Sequence, residues 1–217
     1  SGDINSVLSI CFQPALSLPS AEFTREGLGK LEFFAGTDFF LSGTARYADV
    51  VLAGSLQEEE EGVTCSAEGR VIHIQRAVDP PANARRDSEI ICDLARRLGK
   101  GKFFPFETPR EIFEELREAS RGGHADYSGI TYEKIDAQMG VFWPCPSIDH
   151  PGTPHLMQDG VSFFPDGKCR FQLAEWRERG DPVDEAFPTY LTTGRVVGQY
   201  LSVATTRRLG GLVDLCP

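Results

Sequence analysis

The sequence predicts an α/β protein: a partial Rossmann-like parallel-sheet domain with helices, followed by the start of a β-barrel C-terminal domain. Three observations predict it. Two short apolar strands flank a helical stretch near the N-terminus, a pair of capped amphipathic helices follows, and a late apolar strand leads into a Thr-Thr-Gly-Arg turn. At 217 residues and 41% hydrophobic content, the chain has the apolar material for a core and the length of one or two domains.

Residues 7–11 and 31–35, mostly apolar, read as short buried strands, and residues 21–30 between them have helical character. Residues 50–52 read as a third strand. Right-handed crossovers make such strands parallel, and ligands of parallel sheets sit beyond the strand C-termini. The loops at 12–14 and 37–39 are therefore the positions to watch. Residues 71–75 read as a further strand. After Asp79-Pro80-Pro81, the spacing predicts a helix over 85–98 with Ile90, Ile91, Leu94 and Leu98 on one face and Gly99 at its C-terminal cap. Thr108-Pro109-Arg110-Glu111 is a capping box with proline at the first helical position, opening a helix that buries Ile112, Phe113 and Leu116. Gly122-Gly123 closes it, and a short helix covers 132–139. A Pro- and Gly-rich connector then runs over 143–167, long enough to mark a functional or domain-crossing segment. This divides the chain into 1–166 and 167–217, with a new strand over 191–195.

A net charge of −10 argues against a nucleic-acid or anionic-membrane surface, which needs clustered Lys and Arg. The acidic run 58–61 reads as a solvated loop or helix start. No stretch is long and apolar enough to span a membrane, and no N-terminal signal pattern is present. The six cysteines form no Cys-x-x-Cys pair, so they read as free thiols of a reducing, cytoplasmic compartment rather than as zinc, iron–sulfur or disulfide positions. His150 and His155 are separated by Pro-Gly-Thr-Pro, which forbids the helix that would place both on one face, and no metal site is expected. Neither GxGxxG nor GxxxxGK[ST] occurs, which disfavours an ordinary dinucleotide or P-loop site. Beginning at Ser1 and ending soon after the Thr-Thr-Gly-Arg turn, the chain is expected to be a piece of a longer polypeptide.

That turn lies in YLTTGRVVGQYLSVATTRR, residues 190–208. Gly194 lets a backbone approach a ligand, Arg195 offers a planar fork of donors to an oxyanion, and hydroxyls follow. The same residues also describe a simple glycine turn with a surface arginine. Upstream stand GVFWPCPSIDHPGTP at 140–154 and FFPDGK at 163–168. Nearer the N-terminus are GDINSVLSICFQPALSLP at 2–19 and TDFFLSGTARYADVVLAGSLQEEEEGVTCSAEGRV at 37–71. Taken in this order, the motifs resemble the molybdopterin oxidoreductase family over nearly the whole chain.

The resemblance implies a molybdenum bis(molybdopterin guanine dinucleotide) cofactor, with Gln13, Pro14 and Asp38 against one dinucleotide and Thr193, Gly194, Arg195, Gln199 and Ser202 against the pterins. A carboxylate such as Asp38 can accept from the amino and imino edge of guanine; a turn or capping aspartate is the other reading. The resemblance further implies a 4Fe-4S cluster and a metal ligand in an N-terminal part outside this chain, the remainder of the same polypeptide as partner, and an electron donor or acceptor protein. Gln13, Gly43, Ala53, Ser66 and Val203 depart from the family pattern. An assimilatory nitrate reductase-type enzyme is the leading expectation, chiefly on Gln199. A formate dehydrogenase-type enzyme is the second, and a non-catalytic subunit that has lost the cofactor the third.

Overall fold

The computed structural model describes residues 3–178, 180 and 182–216. Gly2, which opens the 2–19 segment, lies outside them. The chain divides into two units, Ser1–Gln158 and Asp159–Pro217.

In the first unit, β1 (Ser6–Ile10), β2 (Phe33–Asp38) and β3 (Val50–Ala53) form a parallel sheet in the order β1-β2-β3. The crossover between β1 and β2 carries α1 (Pro14–Ser17) and α2 (Ala21–Gly29). Phe34 and Thr37 of β2 are buried. The predicted strands and helix are thus present within a few residues of their expected ends, and they pair in parallel.

A second sheet is antiparallel: β4 (Gly62–Cys65), β5 (Arg70–Ile74) and β6 (Val141–Phe142) in that order. Three helices, α3 (Asp87–Arg97), α4 (Pro109–Ser120) and α5 (Tyr132–Gln138), complete the unit. The core lies here, in Val71, Phe113, Ile130, Tyr132, Ile135, Val141 and Cys145. The Thr108 capping box forms as expected, with the hydroxyl accepting Glu111 N at 3.3 Å while the Glu111 carboxylate takes the Thr108 N–H. Gly99 is left-handed at φ 71° and its N–H caps Arg96 O.

Two amphipathic expectations need correction. In α4 only Phe113 is buried, while Ile112 and Leu116 are exposed. In α3 the buried residues are Ile90, Cys92 and Ala95, with Leu94 and Leu98 exposed. In α4 the contact stripe is narrower than the apolar pattern because one large ring, Phe113, reaches edge-on to both Tyr127 and Tyr132. The acidic run is also not uniformly solvated: Glu59 is buried, and its carboxylate accepts Leu56 N at 2.8 Å.

The connector after β6 is anchored by two polar knots, a half-buried one at Lys134 and a buried one at Asp126. Lys134 of α5 donates its ammonium to Ile148 O at 2.8 Å and His150 O at 2.5 Å, and touches the buried Cys145 Sγ at 3.3 Å. Asp126 accepts from Ser128 Oγ at 2.6 Å, Ser128 N at 2.8 Å and Gly122 N at 2.7 Å. These bonds, the Ser128 hydroxyl foremost, hold the Asp126 carboxyl below the usual carboxylate range against the opposing effect of burial. The unfolded chain therefore binds a proton that the folded chain refuses. Asp126 stabilises fully above about pH 4, the unfolded value, and its contribution is lost as pH falls through the depressed folded value. Urea midpoints measured from neutral pH downward should fall in acid, and Asp126→Asn should flatten that fall; an identical acid profile for the variant would refute the assignment.

Among its described residues the second unit contains one 3-10 turn, Thr206–Arg208, one short α-helix, α6 (Gly210–Leu215), and no strand. The strand expected from Leu191 to Arg195 is not formed. A strand requires a hydrogen-bonded neighbour, and here Leu191 and Val197 stand exposed with no ladder beside them. No described helix is long and apolar enough to cross a membrane.

Candidate functional site

The C-terminal edge of the parallel sheet is where the sequence places its first three candidates. Ile10 lies opposite Thr37 in the ladder, so the residues after β1 and the end of β2 leave the sheet side by side. Ser9 Oγ donates to Phe12 O at 2.9 Å and Ala15 N donates to Thr44 Oγ1 at 3.2 Å, which ties the loop down. Gln13 is the N-cap of α1, and Pro14, buried, takes the first helical position, where its missing N–H costs nothing.

Gln13 and Asp38 meet directly. Gln13 Nε2 donates to Asp38 Oδ2, and Asp38 Oδ1 accepts Phe39 N at 2.8 Å. The other end of the amide, Gln13 Oε1, is buried with no hydrogen-bond partner among the described residues. An acceptor left so costs about 1–3 kcal/mol, which a ligand with an N–H donor removes. A carboxylate carries about four acceptor positions, so Asp38 can serve a second donor beside the first.

A cleft of about 300 Å³ opens at the same edge, lined by Cys11, Phe39, Ser55, Glu60 and Asp87 among others. Its polar lining is rich in carboxylates, which suits a ligand edge made of N–H donors and repels phosphate. Glu60 accepts the Ser55 hydroxyl at 2.5 Å. Cys11 reads in the sequence only as one of six free thiols, and Asp87 only as an acidic residue at a helix start, a signal shared with ordinary capping.

A second cluster lies away from this edge. His73 is held between Asp136, 2.8 Å from Nδ1, and Glu61, 3.3 Å from Nε2, with its ring edge-on to Tyr132 at 4.8 Å. It joins β5 to α5 and borders a cavity of about 500 Å³ with Arg76, Arg86 and Glu89. Among the described residues no group of three His, Cys, Asp or Glu is arranged to hold a metal ion, and all six cysteines are free.

The remaining candidates belong to the second unit. Thr193, Gly194 and Arg195 are exposed in an irregular segment, and a Cβ on Gly194 would meet nothing within 4 Å. Gln199 is engaged internally: Nε2 donates to Cys216 O at 2.8 Å and Leu212 O at 3.3 Å, and Oε1 accepts Thr206 Oγ1 at 2.7 Å. Ser202 is half-buried. Val203, where the resemblance expects glycine, sits at φ 59°, a conformation that a β-branched residue adopts only under constraint.

The geometry defines an α/β domain whose parallel-sheet C-terminal edge presents the Gln13 amide oxygen and the Asp38 carboxylate as acceptors near a carboxylate-lined cleft. Residues 1–97 match the model of the molybdopterin oxidoreductase family. It is 43% identical over 214 residues to the assimilatory nitrate reductase catalytic subunit of Bacillus subtilis, covering 97% of this chain and 30% of that protein. It is 33% identical over 201 residues to the F420-dependent formate dehydrogenase 1 subunit alpha of Methanococcus maripaludis, covering 93% of this chain and 29% of the relative. The chain thus spans about 30% of the length of these curated relatives. Its fold is similar to acetylene hydratase from Pelobacter acetylenicus, with a TM-score of 0.51 and 21% identity over 61% of this chain and 18% of that one. The family match supports a molybdenum–pterin cofactor.

Proposed function

We propose that this chain forms part of a molybdenum-dependent oxidoreductase of the nitrate reductase type, and that its parallel-sheet edge holds the guanine end of a molybdopterin guanine dinucleotide. The observation that carries the reading is the orphaned, buried Gln13 Oε1 beside the Asp38 carboxylate. Two adjacent acceptors match the adjacent imino and amino donors of guanine. Pro14 fixes the loop from which Gln13 projects. Thr193, Gly194, Arg195, Gln199 and Ser202 are proposed to face the pterins, with Arg195 supplying an oxyanion contact.

The cofactor, when bound, supplies oxo transfer or proton-coupled electron transfer at the metal. The residues of this chain bind and orient it. The protein ligand of the metal and a 4Fe-4S cluster are proposed to come from polypeptide outside this chain, and an electron donor or acceptor protein completes the system. The nitrate reading rests on the 43% identity to the Bacillus subtilis subunit, against 33% for the formate dehydrogenase relative. The test is elemental and nucleotide analysis of the protein purified from a host that makes the cofactor. Molybdenum with guanine nucleotide released on denaturation is the expected result; neither above background would favour a subunit that has lost the cofactor.

A further inference from the structure

All three strands of the parallel sheet end at one carboxylate. Asp87 opens α3, and its Oδ2 accepts the thiol of Cys11, the residue after β1, at 3.6 Å. Its Oδ1 accepts the hydroxyl of Thr37, in β2, at 3.4 Å. A Cβ on Gly54, the residue after β3, would lie 3.7 Å from that same oxygen. Backbone bonds draw the segment before α3 onto the sheet: Arg85 N donates to Ala53 O at 3.0 Å and Ser55 N to Arg85 O at 3.2 Å. Cys11 N in turn donates to Thr37 O at 3.1 Å.

Cys11 holds a left-handed backbone at φ 46°, which a residue with a Cβ keeps only when its surroundings impose it. The strained residue lies two positions before Gln13, and Thr37 lies immediately before Asp38. What fixes Cys11 and Thr37 therefore fixes the separation of the two acceptors.

We propose that Asp87 is a positioning residue of the guanine site, gathering Cys11 and Thr37 so that Gln13 and Asp38 stand at the spacing a guanine edge reads. The proposal rests on the guanine reading of Gln13 and Asp38. Asp87 contacts neither of them; it acts through the backbone of their neighbours. Cys11 reports on the contact, because burial first and the Asp87 charge second push its thiol up to about 11. Asp38 acts in the same direction more weakly, and Glu60 and Glu61 face the thiol across the cleft. The native sulfur is a protonated donor, slow toward electrophiles that require the thiolate.

The experiment pairs two readouts on wild type, Asp87→Asn and Asp38→Asn: iodoacetamide alkylation of Cys11 against pH, read by peptide mass spectrometry, and the Kd for guanosine diphosphate. Asp87→Asn is expected to move the alkylation profile to lower pH by about one unit, a ten-fold faster reaction near pH 8. It should also weaken nucleotide binding by about ten-fold, as loss of an outer positioning contact does. Cys11→Ala removes the donor and keeps the carboxylate, and should weaken the nucleotide in the same sense if Asp87→Asn does not fold. An unmoved alkylation profile overturns the contact. Guanosine diphosphate binding that survives both Asp87→Asn and Cys11→Ala but is lost in Asp38→Asn overturns the positioning role and leaves the guanine reading standing. A wild-type protein that binds no guanosine diphosphate, or binding unchanged in Asp38→Asn, overturns the guanine reading itself.

Discussion

Gly129→Ala is expected to leave no folded first unit. A Cβ at Gly129 would fall on the Ser147 carbonyl group and 2.6 Å from Cys145 O, and both obstacles are backbone rather than side chains that could turn aside. The Gly129 N–H already donates to Cys145 O at 2.6 Å, so the two segments are at hydrogen-bond contact with no slack. Displacing residues 145–147 would also pull Cys145 out of the core, break Cys145 N to Asp126 O at 2.7 Å, and take the carbonyls of Ile148 and His150 away from the Lys134 ammonium. Losses of this kind exceed about 4–5 kcal/mol, a large part of the roughly 5–15 kcal/mol that holds a domain folded. The check is soluble yield and a urea transition by near-UV circular dichroism. A midpoint like that of wild type would mean the connector can shift without cost.

Gly129 also marks the limit of what the amino-acid sequence discloses. Glycines at helix ends declare themselves, as Gly99 does after α3, because the requirement is local to the turn. The requirement at Gly129 comes from residues sixteen to eighteen positions away, and no local pattern carries it. The three parallel strands were legible for the opposite reason: β3 is a continuous apolar run, and β1 and β2 are mostly apolar or β-branched, bounded by turn residues. β6 is two residues long and β4 has a single half-buried valine, Val63, so neither offers a period to read. The expected strand over 191–195 failed differently. Its residues have strand character, but propensity becomes a strand only where a partner edge exists.

The site divides in the same way. Gln13 and Asp38 were legible because they follow strands and match family motifs, and the fold brings them into direct contact. Asp87 was not, since it lies 76 residues from Cys11 and 50 from Thr37, and only the closed sheet shows that it gathers both. Gln199 was legible as a polar residue in a conspicuous motif, yet its amide is committed to the carbonyls at the end of α6 and to Thr206.

Asp38→Asn is expected to weaken binding of guanosine diphosphate by about a hundred-fold, because the substitution changes what Asp38 can accept while preserving its shape. In the wild type one carboxylate serves Gln13 Nε2, the Phe39 N–H and, in the proposed complex, the guanine donors. Asparagine keeps one oxygen and puts an amino group where the other stood, so a donor faces a donor. Losing a charge-assisted hydrogen bond costs about 1.5–3 kcal/mol, and about 2.7 kcal/mol corresponds to a hundred-fold change in Kd. The base supplies an internal control. Inosine diphosphate lacks the exocyclic amino group and should bind the wild type about ten-fold more weakly than guanosine diphosphate, the weight of one such bond; adenosine diphosphate, without the adjacent imino and amino donors, should bind far more weakly still. Asp38→Asn should erase the distinction between guanine and hypoxanthine. If Asp38 were instead a turn aspartate, its duties would be the Phe39 N–H and Gln13 amide bonds, which asparagine keeps by accepting the first and, with the Gln13 amide reversed, donating to its oxygen in the second. Unchanged guanosine diphosphate affinity in Asp38→Asn, or equal affinity of the wild type for adenosine and guanosine diphosphates, would therefore establish the turn role and remove the guanine site.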